Sequence, residues 1–222
     1  MGLPTSVAYD MPTDGPANRV SWEVDPNRAV LLIHDVQEYF IRAFDRHSSP
    51  ITDVISNITR LRRAAYSAGV PVVYTAQPGN QSPEQRALLM DFWGAGITGD
   101  STDTAVVAAL APGPHDLTLT KWRYSAFVKT ELGERMSRWG RDQLIVTGVY
   151  AHIGCLATAM DAFMRDIQPF LAYDGVADFS RADHTAAMTY AATRCGAVHA
   201  TERIVGMIDR DASLSGQSET AA

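Results

Sequence analysis

Short continuous apolar runs alternate with helical patterns along most of this 222-residue chain. Such runs are typical of strands buried on both faces. Six of them are found, at residues 29–33, 70–74, 116–119, 143–147, 169–172 and 197–200. Helical spacing marks residues 54–68, 131–139, 156–164 and 183–195. Because strands that alternate with helices form parallel sheets, the predicted fold class is α/β: a doubly wound, six-stranded parallel sheet flanked by helices.

The length and composition predict one domain. Hydrophobic residues make up 46% of the chain and charged residues 20%, which is ordinary for a globular protein. We expect the domain to cover residues 1–208 and the polar residues 209–222 to form a disordered tail. The long segment 77–114 has no strand of its own and is expected to hold a short helix over 82–92. Segments of this length without strands are usually functional.

Several classes of function are excluded by charge and hydropathy. The net charge of −6 leaves no basic footprint for nucleic acid. No apolar run reaches the roughly 18 residues of a membrane span, and the N-terminus does not resemble a signal peptide. Two cysteines, Cys155 and Cys195, do not make a disulfide framework, so we expect a cytoplasmic protein. No glycine-rich phosphate loop follows a strand and no cluster has zinc spacing, so neither cofactor nor metal is expected.

Three groups that can carry chemistry follow predicted strands directly. They are Asp35, Lys121 and the turn 148–154. The carboxyl ends of parallel strands meet at one edge of a sheet, where open α/β proteins place their sites. A buried carboxyl beside a lysine is a poised acid or base, because burial raises its pKa and the cation lowers it.

Each of these groups also has a plainer explanation. Asp35 can cap a helix, Lys121 can be a solvated charge, and Gly154 can permit close helix packing. A structural imidazole is the favoured interpretation of His34. For His152, both a chemical role and a structural role are open.

Taken together, these segments resemble the isochorismatase-like hydrolase superfamily, and within it the isochorismatases of siderophore synthesis and their relative in phenazine synthesis. The resemblance runs in order from about residue 20 to 207. It is carried by residues 32–40, 74–78, 119–127, 148–155, 161–170 and 178–180.

The resemblance implies roles for individual residues. The catalytic Asp of the superfamily falls on Asp35 and its Lys on Lys121. The nucleophilic Cys of its amidase members falls on Gly154. Cys155 comes one residue later, about 100° further around a helix, and is expected to point elsewhere. The chain is therefore expected to catalyse a reaction that needs no thiol nucleophile.

The resemblance also implies a substrate site. The family's substrate-binding Gln and Arg fall on Gln77 and Arg86, and the tyrosine of the turn is Tyr150. An arginine suits a carboxylate because its guanidinium can bind both oxygens. Gln77 with the Tyr150 hydroxyl, or backbone amides of the turn, would hold a second acid group. The family has a cis peptide in this turn, which would lie between Val149 and Tyr150.

Three aromatic side chains are candidates for an apolar wall around a substrate ring, although a place in the core is nearly as well supported for each. They are Phe40, Trp93 and Phe127.

The implied reaction is hydrolysis of a vinyl ether on a cyclohexadiene, either isochorismate, which we favour, or its 2-amino-2-deoxy analogue. Asp35 would protonate the terminal methylene, water would add, and the hemiketal would collapse to pyruvate and a ring alcohol. Lys121 would orient Asp35, and Gly154 would leave room for the pyruvyl arm.

Two other functions remain to be compared with this one. A cysteine amidase would need a thiol at position 154, and a non-catalytic protein that docks a carrier would have no use for the polar groups at one edge. Family resemblance also implies a homodimer or higher oligomer. A separate aryl carrier protein is a further expected partner.

Overall fold

The computed structural model describes residues 2–218, with side chains through residue 210. Its centre is a sheet of six parallel strands in the order β3-β2-β1-β4-β5-β6, which confirms the predicted fold class. The strands are β1 Ala29–His34, β2 Val72–Ala76, β3 Leu117–Thr120, β4 Gln143–Val149, β5 Gln168–Ala177 and β6 Ala197–His199. The order reverses between β1 and β4, the position at which such sheets open a crevice for ligands.

Nine α-helices connect and flank these strands within the described residues. They are α1 Glu38–Ile41, α2 Ile51–Ser67, α3 Pro83–Arg86, α4 Leu89–Trp93, α5 Ser101–Thr104, α6 Leu132–Arg138, α7 Leu156–Phe163, α8 Arg181–Arg194 and α9 Thr201–Ser218. A 3₁₀ turn, Ala108–Leu110, precedes β3, and a π-helical turn, Ala151–Cys155, leads from β4 into α7. None of the helices in this part of the chain is long and apolar enough to cross a membrane.

The alternation of side chains along β1 divides the core into two layers. Leu31 and Ile33 pack in the layer beneath α2 and α9. Val30 and Leu32 pack in the opposite layer, with α6, α7 and α8. By the same alternation His34 continues the second layer, on the side of the turn that precedes α7.

The predicted elements differ from the observed ones mainly at their ends. β2 begins two residues later than predicted, at Val72, and extends to Ala76. β5 is longer than its apolar run and reaches Ala177, with a register shift opposite Val146 and Gly148. The single helix predicted over 82–92 is two helices, because Ala87 has a φ of +48° and interrupts the helical path.

The tail predicted from residue 209 also differs, because α9 continues through Ser218. Ile204, Met207 and Ile208 are buried in the core and stabilise the first part of this helix. Each further residue then adds a backbone hydrogen bond at little cost, and no proline intervenes. Residues 219–222 lie outside the described residues.

Candidate active site

A cavity opens at the carboxyl edge of the sheet, where β1, β2, β3 and β4 end. The empty space within it, with the open solvent at its mouth counted, is about 480 Å³. The groups predicted to meet at this edge do so: Asp35, Lys121 and Gly154 all line the cavity. Its other lining residues are Leu3, His34, Tyr39, Phe40, Gln77, Arg86, Leu89, Trp93, Tyr124, Val149, Tyr150 and Ile153.

Asp35 and Lys121 form a buried ion pair. Lys121 Nζ lies 2.7 Å from Asp35 Oδ2, and the Thr75 hydroxyl donates to the other carboxylate oxygen at 2.7 Å. The backbone of Asp35 has a φ of +49°, a strained conformation that occurs mostly at functional sites. The Lys121 amide donates to the carbonyl of Ala76 at the end of β2, which fixes the lysine beside its partner.

The protonation of Asp35 is set by opposing influences. Burial raises the pKa of this carboxyl. The charge of Lys121, the charge that His34 carries when it is protonated, and the hydrogen bonds from Lys121 and Thr75 lower this pKa, and the net direction is down. The lysine and threonine contacts, both at 2.7 Å, stabilise the ionised form directly. With these neighbours alone, Asp35 is a carboxylate at neutral pH.

Gln77 and Arg86 lie together on the adjoining wall. Gln77 Nε2 donates to Asp35 Oδ2 at 3.3 Å, and Arg86 Nη1 donates to Gln77 Oε1 at 3.2 Å. Arg86 is 4% exposed and its Nε donates to the carbonyl of Gly94. It has no carboxylate partner within 4 Å among the described residues, and burial lowers its pKa. A buried guanidinium without an anion is suited to bind one.

The turn after β4 has the cis peptide that the resemblance implied, between Val149 and Tyr150. Tyr150 lines the cavity with its ring, which stacks on Phe179 at a centroid distance of 4.0 Å. The expectation that its hydroxyl holds a substrate acid group is wrong. The hydroxyl donates to the carbonyl of Phe40 at 2.7 Å and is used inside the fold.

Cys155 points away from the cavity, as its place in the turn predicted. It is fully buried in the layer beneath α7, with Sγ 3.9 Å from the carbonyl of Thr147. Burial raises the pKa of this thiol well above its usual value, so it is a poor nucleophile.

Gly154 lines the cavity but does not leave the open room that was expected for a pyruvyl arm. A Cβ on Gly154 would lie 2.1 Å from Cε1 of His34. The imidazole of His34 already fills that space, which corrects the prediction.

Of the three aromatic candidates, Phe40 and Trp93 line the cavity and Phe127 does not. Phe127 is buried in the layer shared with α6 and α7, and the Arg165 guanidinium lies 4.9 Å from its ring centroid. The loop after Lys121 reaches the cavity at Tyr124 and enters the core at Ala126 and Phe127.

Sequence reasoning missed several residues of the site. Tyr39 and Tyr124 line the cavity, and the Tyr124 hydroxyl accepts a hydrogen bond from Trp93 Nε1 at 2.7 Å. Gln37 is fully buried and brackets the Gln77 backbone, accepting from its amide and donating to its carbonyl. Gln37 and Tyr39 lie in residues 32–40, a segment that carries the family resemblance, and this was the signal that could have identified them. No sequence signal points to Leu3, because its position at the cavity depends on long-range contacts.

His152 lies outside this cavity, beside two carboxylates. Ligand atoms of His152, Asp178 and Asp183 lie within 4.8 Å of one another. His152 Nδ1 contacts Asp178 at 2.7 Å, and the backbone amides of His152 and Phe179 donate to the same carboxylate. These contacts anchor the turn to the end of β5, which supports the structural role for His152.

A doubly wound sheet with the buried Asp35–Lys121 pair at its carboxyl edge has the arrangement of an α/β enzyme. The chain belongs to the isochorismatase family, because the family model for the isochorismatase domain matches residues 29–203.

Individual relatives agree with this assignment. The chain is 52% identical to an isochorismatase of Bacillus subtilis (strain 168) over 94% of this chain and 67% of that protein. It is also 52% identical to the phenazine biosynthesis protein PhzD of Pseudomonas fluorescens, over 92% and 99%. Among solved structures, a cysteine hydrolase from Pseudomonas syringae pv. phaseolicola 1448A has the same fold, with a TM-score of 0.79 at 23% identity over 88% and 98% of the two chains.

Proposed function

We propose that this protein hydrolyses the enolpyruvyl ether of isochorismate, giving pyruvate and 2,3-dihydro-2,3-dihydroxybenzoate, in the cytoplasm. The observation that carries the proposal is the buried Asp35–Lys121 pair facing a cavity in which Arg86 has no carboxylate partner among the described residues. The neighbouring thiol, Cys155, does not line this cavity. Among the described residues that line the cavity there is a carboxyl group and an anion-binding arginine but no thiol, which suits vinyl ether hydrolysis.

The reaction begins with transfer of the Asp35 proton to the terminal methylene carbon. The electron pair of the double bond forms the new C–H bond, and the adjacent carbon becomes an oxocarbenium ion. Water adds to that carbon and returns a proton to Asp35. The hemiketal hydroxyl then gives up its proton as the ketone of pyruvate forms, the bond to the ring oxygen breaks, and that oxygen takes up one proton in return and leaves as the alcohol. One water is consumed and no covalent enzyme intermediate forms.

Substrate binding supplies the protonation that Asp35 needs. Isochorismate carries two carboxylates, and Arg86 is placed to bind one of them at the wall beside Gln77. A second carboxylate near Lys121 competes with Asp35 for the lysine and raises the pKa of Asp35 by like-charge repulsion. Proton transfer to carbon then occurs from an acid formed in the complex.

A pyruvate-release assay on isochorismate tests this proposal. Wild type is compared with Asp35→Asn, which removes the acid, and with Asp142→Asn, a matched control in a surface ion pair with Arg28. We expect kcat to fall by about 10³-fold in Asp35→Asn, within the range for loss of a general acid, and to be retained in the control. Pyruvate release that is equal in all three proteins would remove Asp35 from the mechanism. No pyruvate from wild type would contradict the function.

The second candidate substrate is 2-amino-2-deoxyisochorismate, because the chain is as similar to a phenazine biosynthesis protein, PhzD, as it is to an isochorismatase, at 52% identity in both comparisons. The two compounds differ only in a ring substituent, so the same acid chemistry applies. The ratio of kcat/KM for the two substrates decides between them. Assembly as a homodimer or higher oligomer and cooperation with a separate aryl carrier protein stay predictions, which light scattering and pull-down with that carrier would test.

A further inference from the structure

The imidazole of His34 lies where a side chain at position 154 would otherwise be. His34 ends β1, is fully buried and lines the cavity. A Cβ on Gly154 would meet its Cε1, Nε2 and Nδ1 at 2.1, 2.8 and 3.0 Å. Non-bonded carbon atoms do not approach closer than about 3.5 Å without cost, so the two positions exclude each other.

The ring cannot move aside easily, because both nitrogens face backbone carbonyls. Nδ1 lies 3.0 Å from the carbonyl of Val149, and Nε2 lies 3.3 Å from that of Tyr124. A neutral imidazole carries one N–H, and we assign it to Nδ1 because that contact is the shorter. The Nδ1–H bond thus connects the strand that carries Asp35 with the turn 149–154, and the ring packs against the carbonyl of Tyr124 in the loop that follows Lys121.

We propose that His34 is a positioning residue that takes the volume of a residue-154 side chain and holds the turn at a fixed distance from the Asp35–Lys121 pair. This rests on the proposed function only for its kinetic readout. It follows that the residue at position 34 decides whether position 154 can carry a side chain, including a nucleophilic thiol. His34 therefore commits the pocket to chemistry without a covalent intermediate.

The proposal separates two properties of His34, its volume and its hydrogen-bond donor. His34→Leu keeps much of the volume and removes the donor to Val149. His34→Asn keeps an amide donor near the position of Nδ1 and vacates the space of Cε1 and Nε2. Gly154→Ala adds the Cβ that meets the ring.

The kinetic test compares His34→Leu with His34→Asn in the pyruvate-release assay. Misplacement by about 1 Å costs up to 10²-fold in rate, so we expect kcat of His34→Leu to fall 10- to 100-fold with KM changed less than threefold. His34→Asn should recover at least tenfold of that loss. A His34→Leu enzyme with wild-type kcat, or a loss confined to KM, would overturn the positioning role.

The steric test needs no substrate and uses melting temperatures of wild type, Gly154→Ala, His34→Asn and the double variant. We expect Gly154→Ala to melt at least 5 °C lower than wild type, or not to fold, and the double variant to melt above Gly154→Ala. If the decreases in melting temperature of the two single variants simply add in the double variant, the two side chains do not compete for one volume. A double variant that fails to fold where His34→Asn folds would contradict the proposal in the same way. If wild type released no pyruvate, the proposed function would fail while this test remained valid.

Discussion

Lys121 Nζ lies 2.7 Å from Asp35 Oδ2, and the two side chains are only 2% and 5% exposed. Burial of both charges is costly, and removal of one partner leaves the other uncompensated. Neither residue therefore has a role that is independent of the other. The pair holds the acid in place, and the lysine also opposes its protonation until a substrate carboxylate competes for the same cation.

Replacement of Lys121 by methionine should change the pH dependence of the reaction. Without the lysine, burial remains as the main influence and raises the pKa of Asp35. In the pH profile of kcat/KM, we expect the basic limb, where activity falls as pH rises, to shift to higher pH. We also expect kcat to fall about 100-fold, because Asp35 loses the partner that holds it in place.

The other lysine of the chain provides the control. Lys129 is exposed and does not line the cavity, so Lys129→Met should give the wild-type profile. A Lys121→Met profile that matched wild type in both limbs and in rate would show that Lys121 neither orients nor tunes Asp35.

His34 should make the stability of the protein depend on pH. Burial is the main cause that lowers its pKa from 6.5 to about 4. The charge of Asp35 opposes this shift, whereas the charge of Lys121 adds to it. Hydrogen bonds from the protonated ring to the carbonyls of Val149 and Tyr124 also oppose it. Since the unfolded chain binds this proton more readily, the stabilisation is present above pH 6.5 and is lost as pH falls towards 4.

His34→Asn removes the titrating group and isolates this effect. Between pH 7 and pH 4.5, the free energy of unfolding of wild type should fall by about 2 kcal/mol more than that of His34→Asn. Urea unfolding at the two pH values measures the difference, in which contributions of other groups cancel. Parallel losses in both proteins would mean that His34 is not neutral and buried in solution.

The strands were predictable because each is an apolar run, but their limits were not. β5 continues through the polar residues Tyr173 and Asp174, since its pairing with β4 shifts register there. Hydrogen bonding to a neighbouring strand decides such an end, and a single sequence does not contain that neighbour. The order of strands likewise follows from packing of the helices on both faces.

Site residues that directly follow strands were placed correctly, because strand direction fixes where they go. This holds for Asp35 and Lys121. Phe127 lies six residues beyond Lys121, and the path of the loop, which no periodicity encodes, turned it into the core. His34 looked like a structural imidazole because all of β1 is buried, and only the backbone position of Gly154 shows what its ring displaces.

Arg86→Met should separate stability from activity. The guanidinium is buried without a carboxylate partner in the described part of the chain, so its removal relieves a desolvation cost. We expect no loss of melting temperature greater than about 2 °C, since the lost hydrogen bonds to Gly94 and Gln77 offset part of the gain. KM should rise about 30-fold or more, because a substrate carboxylate loses its bidentate partner.

Arg123→Met is the matched control for this experiment. Arg123 is close enough to Arg86 to influence its pKa, yet it does not line the cavity and donates to backbone carbonyls of Gln85 and Trp122. Its KM should stay within threefold of wild type. An equal rise of KM in both variants would indicate a general attraction of anions and not a specific site at Arg86.

Iodoacetamide should leave the enzyme active. Both cysteines are buried, and the thiol pKa values are raised by burial, well above the usual value for Cys155 and to about 11 for Cys195. The reactive thiolate is therefore scarce at neutral pH, and neither sulfur lines the cavity. Cys155→Ala should retain kcat/KM within twofold and lose about 1 kcal/mol of stability from the vacated volume. Inactivation by iodoacetamide that Cys155→Ala abolished would instead establish a thiol mechanism, and with it the amidase function that the position of Gly154 argues against.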